Sequence, residues 1–168
     1  MTLRSIILSC TLLLLPSAGA AAQDLAKPTG PVLLSVSGNI TRTNAPGRAD
    51  FDRAMLLKLG VDTVTTSTQW TKGTPRFSGV KASKILNLVG AKGTTVRAVA
   101  LNDYEVSIPI SDFRRYPVIL AMRMDGKELT RRGKGPLWIV YPRDDHAELR
   151  KRELASRWIW QLRKLVVE

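Results

Sequence analysis

Apolar and polar positions alternate with period two along much of this chain, and helical spacing occurs only in short stretches. Tyr104, Val106, Ile108 and Ile110 alternate strictly with Glu105, Ser107 and Pro109, the rhythm of a half-buried strand, and Pro109 points to an edge or a bulge. Val32–Gly38 reads as a first strand ending at a turn, Val61–Ser67 as a β-branched strand, and Val96–Leu101 as a strand broken by Asn102-Asp103. Val118–Met124 is a continuous apolar run that predicts a buried strand, followed by Asp125-Gly126, a strong tight-turn pair. Leu137–Tyr141 predicts a further strand. Trp158–Val167 predicts a last one, with Trp158, Trp160 and Leu162 on one face.

Helical spacing appears in three places. Phe51, Met55, Leu56 and Leu59 share a face, with Asp50 as the expected cap and Gly60 as the stop. Lys81–Val89 turns Ile85, Leu88 and Val89 inward before Gly90, and Leu149–Ala155 predicts one more short helix. Trp70–Arg76 is a polar loop holding an aromatic residue. The pattern contains no internal repeat and no interdomain linker. It predicts one mixed α/β (α+β) domain, mostly β with short helices.

Residues 1–22 carry a different signal. Arg4, an apolar stretch from Ile6 to Leu15, a Pro16 break and the small residues up to Ala22 have the layout of a secretory signal peptide. The apolar run is shorter than the roughly 20 residues a spanning helix needs. The expected organisation is therefore a leader over 1–22 and a domain over 23–168, with the mature protein outside the cytoplasm, most simply in a bacterial periplasm. No twin-arginine pair occurs, so the expected export route carries an unfolded chain without a preassembled cofactor.

Composition narrows the chemistry. The sole cysteine is Cys10, inside the leader, which removes disulfide scaffolds, cysteine zinc sites, iron–sulfur clusters and thiol enzymes. His146 is the sole histidine and follows Asp144-Asp145 in a polar loop, and there is no G-x-S-x-G elbow, so triad hydrolysis has no base and no nucleophile. The net charge is +12, and loss of Arg4 with the leader leaves +11. Export argues against nucleic acid as the partner. An acidic protein surface, anionic headgroups or a small polar ligand remain, beside a surface that is merely basic. Arg114-Arg115, Arg131-Arg132 and Arg150-Lys151-Arg152 are the clusters that would meet such a partner or a membrane surface.

Loops and strand ends hold flat aromatic surfaces, a carboxylate, glycine-lined backbone and a forked cation, an inventory that suits a flat heterocycle with amide-like edges. Trp70 is placed to stack on such a ring, or else is a core aromatic. Asp103 can accept two parallel hydrogen bonds from a guanine-like edge, or, with Asn102, shape an Asx turn. Tyr104 either reaches the ligand or is core. Arg157 is a forked donor beside Ser156, or the partner of a nearby acid. Lys134 sits between Gly133 and Gly135, which allow close backbone approach. Trp138, Trp158 and Trp160 read as core.

The order Phe77-x-Gly-Val80, Leu88-Val-Gly-Ala91, Asn102-Asp-Tyr104, Met124-Asp-Gly126 and Gly133-Lys-Gly-Pro-Leu-Trp-Ile-Val-Tyr-Pro142 resembles the molybdopterin-binding domain of sulfite-oxidase-type oxidoreductases, from about Val32 to Val167. In that family a Gly-x-Pro-Leu segment helps hold the pterin and a cysteine on an earlier strand ligates molybdenum. The corresponding segment here, Thr65–Trp70, has no cysteine. A hydroxyl of Ser67 or Thr68 is a poor substitute for the soft thiolate the metal requires. Thr66-x-x-Gln-Trp70, Asn102-Asp-Tyr104, Gly133–Trp138 and Ser156-Arg-x-Ile-Trp-Gln-Leu162 resemble more closely a cysteine-free branch, the pterin-responsive periplasmic regulators. That resemblance implies a non-catalytic sensor that binds a free pterin, without molybdenum or a covalently bound cofactor. It also implies control of a membrane-anchored diguanylate cyclase/phosphodiesterase through that enzyme's periplasmic domain, and hence of biofilm formation. The pterin site expected on this basis comprises Trp70, Asn102, Asp103, Tyr104, Lys134, Ser156 and Arg157. The alternative is a molybdopterin-dependent oxidoreductase with a non-cysteine metal ligand.

Overall fold

Leu34 and Val36 are fully buried while their neighbours in Val32–Gly38 are not, so this alternating segment forms a strand, β1, with one face on the core. The computed structural model describes residues Leu25 to Glu168, and the expected leader lies outside them. After β1 come β2 (Arg48–Asp52), α1 (Arg53–Lys58), β3 (Asp62–Thr65), β4 (Arg76–Lys81) and α2 (Ala82–Leu88). The chain continues through β5 (Thr95–Ala100), β6 (Glu105–Pro109), α3 (Ile110–Arg115), β7 (Ile119–Met124), β8 (Lys127–Glu128) and β9 (Trp138–Val140). Two 3-10 helices, Ala147–Arg150 and Arg152–Arg157, precede β10 (Leu162–Val167). The α+β architecture is the expected one, with short helices on a mostly β frame.

One sheet has the order β2-β1-β10-β5-β6, with β1 and β10 parallel and the other pairs antiparallel. The other runs β3-β4-β7-β8, with β9 also on β7. The two sheets meet through the segment before β10. Trp160 bridges to Trp138, and the Ile139 N–H donates to the Ile159 carbonyl at 3.0 Å. The first four residues of β7 are buried, as their unbroken apolar run requires. Asp125 and Gly126 both take positive φ, 50° and 77°, the demand of a tight hairpin turn into β8.

Several elements differ from the sequence pattern. The helix cap is Asp52 rather than Asp50: its Oδ1 accepts from the Met55 N–H at 2.8 Å and its Oδ2 from the Thr29 and Gly30 N–H groups. Those three donors hold the Asp52 carboxyl below the usual carboxylate range. Asp50 instead lies in β2, accepting from the Ser35 hydroxyl at 2.6 Å and from Arg48. Ile110 starts α3 instead of extending β6, because it follows Pro109 at the strand's end. The expected helix over 149–155 is the pair of 3-10 helices. The last strand starts only at Leu162, because residues 158–161 turn aside to span the seam between the sheets.

Candidate functional site

A cavity of about 320 Å³ opens at that seam, lined by Trp70, Asn102, Tyr104, Ser156, Trp158 and Trp160, with Ala100, Ala155 and Ile159 behind them. Each wall comes from a different element. Trp70 stands on the β3–β4 loop, Asn102 and Tyr104 on the β5–β6 turn, Ser156 on the second 3-10 helix, and Trp158 and Trp160 on the segment entering β10. The Thr68 Oγ accepts from the Trp70 N–H at 3.0 Å and meets the Thr71 hydroxyl at 2.8 Å, which gives the loop its local shape.

All four tryptophans of the chain gather here. The Trp70 ring lies 5.3 Å from Trp160, 6.1 Å from Trp158 and 6.3 Å from Trp138. Trp138 is fully buried, edge-on to Phe77 at 5.2 Å, and its indole N–H donates to the Trp158 carbonyl at 3.2 Å. Trp70 is half-buried: it packs on the core and still borders the cavity. Trp160, expected in the core, is 36% exposed and forms a cavity wall. Trp158 is buried but also lines the cavity. Both belong to a segment whose alternation reads as plain strand, so the sequence offered no sign that they face a pocket.

The structure brings four of the seven expected site residues to the cavity wall: Trp70, Asn102, Tyr104 and Ser156. Tyr104 is 51% exposed, so it is not core. Lys134 stands beside them, its ammonium 5.3 Å from the centre of the Trp160 ring and 5.6 Å from that of Trp138. Asp103 and Arg157 do not line it. Asp103 takes φ of 62° in the turn, and its carboxylate pairs with Arg163, whose Nε also donates to the Ala100 carbonyl. Asn102 Oδ1 accepts from the Tyr104 N–H at 3.3 Å, the Asx geometry. Arg157 donates to Asp112 at 2.7 Å, and the Tyr141 hydroxyl donates to the same oxygen at 3.0 Å. Burial, with the Asp112 charge beside it, pushes the Tyr141 phenol well up. Gly135 has the expected close approach, since a Cβ there would strike the Leu129 carbonyl; Gly133 has room for one.

The hydroxyls of the β3–β4 loop are already engaged. Ser67 donates from Oγ to Asp144 at 2.7 Å and accepts from Arg143 at 2.6 Å, while its N–H also donates to Asp144. The Thr66 Oγ accepts from the Asp144 N–H at 3.2 Å. The Ser67 hydroxyl and N–H hold the Asp144 carboxyl below its usual range. His146 packs edge-on to Tyr116 at 5.0 Å. Among the described residues, no three His, Cys, Asp or Glu side chains gather as a metal site.

The family model described as oxidoreductase molybdopterin binding domain matches residues 47–144. No curated protein matches. Among solved structures, the fold is similar to the sulfane dehydrogenase SoxCD from Paracoccus pantotrophus, with a TM-score of 0.58 at 18% identity. That alignment covers 80% of this chain and 37% of the other, so this chain spans little more than a third of that enzyme chain's length.

Proposed function

This chain belongs to the oxidoreductase molybdopterin-binding domain family, and from that membership we propose that it binds a free pterin in the Trp70 cavity and serves as a sensor without redox turnover. The observation that carries the reading is the cavity's composition: flat indoles on several sides, with neutral hydrogen-bonding groups from Asn102, Tyr104 and Ser156. Aromatic faces hold a planar heterocycle by stacking, and amide and hydroxyl groups read its edge. The metal half of the family's cofactor does not fit these residues. The chain's single cysteine is Cys10, and the Ser67 hydroxyl is engaged by Asp144 and Arg143. A molybdenum centre needs a soft thiolate that this loop does not present.

The sensor acts in the periplasm on a membrane-anchored enzyme that makes and breaks cyclic di-GMP. The resemblance of the Thr66–Trp70, Asn102–Tyr104 and Ser156–Leu162 segments to pterin-responsive regulators supports this part of the proposal. A pterin shifts such a partner only if the loaded and empty sensor differ in affinity for the partner's two states. Because three of the four tryptophans line the cavity and the fourth, Trp138, packs against Trp70, intrinsic fluorescence is expected to report occupancy. Titration with a tetrahydropterin is expected to give saturable quenching. A flat titration in the wild-type protein would overturn the reading.

The similarity in fold to a dehydrogenase favours a second reading, oxidoreductase chemistry at the same cavity with a non-cysteine metal ligand. Stoichiometric molybdenum in protein purified from its native host would establish it.

A further inference from the structure

A second concavity shares no lining residue with the tryptophan cavity. It lies between α1 and the segment following β7, in two lobes of about 590 and 210 Å³ that have Arg53, Leu57 and Glu128 in common. Its floor is apolar and open: Leu57 is 39% exposed and Val61 55%. Its rim is cationic. Arg53 at 2.6 Å and Arg123 at 3.5 Å both fall to one acid, Glu128. Among the described residues Arg131 has no ion-pair partner, and Asp52, the groove's second acid, turns its oxygens to backbone N–H groups, so three guanidiniums face two carboxylates. A soluble surface with exposed aliphatic residues beside under-neutralised arginines fits an apolar segment flanked by carboxylates.

The groove and the cavity are joined by one loop. Thr130, Arg131 and Pro136 border the groove. The Thr130 carbonyl accepts from the Gly133 and Gly135 N–H groups, which folds the loop back on itself. The Arg131 and Gly133 carbonyls accept from Gln161 Nε2 at 2.7 and 3.1 Å, and the Gln161 N–H donates to the Lys134 carbonyl at 3.1 Å. Gln161 follows Trp160, a cavity wall over which the Lys134 ammonium sits. Any displacement of Trp160 by a ligand therefore pulls on the loop that borders the groove.

We infer that this groove docks an acidic, apolar segment of a partner protein and that the 129–136 loop carries ligand occupancy to it. The inference deepens the sensor reading and rests on it. The test places a photo-crosslinking residue at position 57 of the full chain, with the same residue at exposed Asn87 as control, in native membranes with and without a tetrahydropterin. The expected result is a crosslink from position 57 alone, to a peptide in which Asp or Glu flank apolar residues. Its yield should fall as salt rises, drop with Arg131→Glu, and change about fivefold or more with the pterin, the size of ordinary allosteric coupling. Equal yield from position 87, no crosslink, a crosslink to lipid or to a second copy, or a pterin-independent yield would overturn it. Tryptophan quenching of the purified full chain separates the two ideas. Quenching without the crosslink removes the groove alone, whereas a chain that shows no quenching removes the pterin reading and, with it, the coupling of the groove to the cavity.

Discussion

Trp70 is the residue on which the proposed binding site turns, because its ring borders the cavity while it packs against three other indoles. Trp70→Ala removes one stacking surface and is expected to cost about 1–3 kcal/mol of pterin affinity, with Trp70→Phe recovering part of it; fluorescence titration measures both. Arg157 behaves differently. Its guanidinium lies on Asp112, away from the cavity lining, so Arg157→Met leaves a mostly buried carboxylate facing Tyr141 without its cation. The expected result is a loss of about 1–3 kcal/mol in urea denaturation, with a smaller change in affinity than Trp70→Ala produces. Loop positions and the family resemblance grouped Trp70, Asn102, Tyr104 and Ser156 with Asp103, Lys134 and Arg157 as one expected site. They could not say that Asp103 would turn to Arg163 or Arg157 to Asp112, since the competing partners lie 60 and 45 residues away along the chain.

Among the elements, strands with clean alternation and the Asp125-Gly126 turn were legible because each needs only local chemistry. β2 and β4 were not. β2 carries acids whose carboxylates are met by Ser35 and Arg48 and by backbone donors elsewhere in the chain. β4 hides its strand character in Gly79, which pairs with Ala121 of β7 and is pressed against the Leu120 carbonyl. Gly79→Ala should therefore destabilise by about 1–3 kcal/mol or more, read as a lowered thermal midpoint. The β3–β4 loop is tied to the segment after β9 by Asp144, and the start of α1 is fixed by Asp52. Both carboxyls titrate lower in the folded protein than their ordinary value of 3.8, so the unfolded chain takes up protons first as pH falls. Their contribution is complete at neutral pH and is lost as pH drops below about 4 and through the lowered values. Urea midpoints measured from neutral pH downward should fall in that window, and Asp144→Asn should lower the neutral midpoint and flatten the fall.

At the scale of the molecule, two five-stranded sheets are joined by backbone bonds from the residues leading into β10, and the cavity forms where that crossing leaves the indoles uncovered on one side. The order of strands was not readable from the pattern, because the parallel pairing of β1 with β10 joins the two ends of the described chain. The family's fold is present while the described residues contain no cysteine, and on the proposed reading ligand binding is kept on this scaffold without redox chemistry. On the proposed reading the scaffold holds the organic ring alone. The most direct test is mass spectrometry of small molecules released from natively purified protein, with metals quantified on the same sample. A pterin at near-stoichiometric level without molybdenum is expected. Molybdenum in equal amount with a pyranopterin would contradict it.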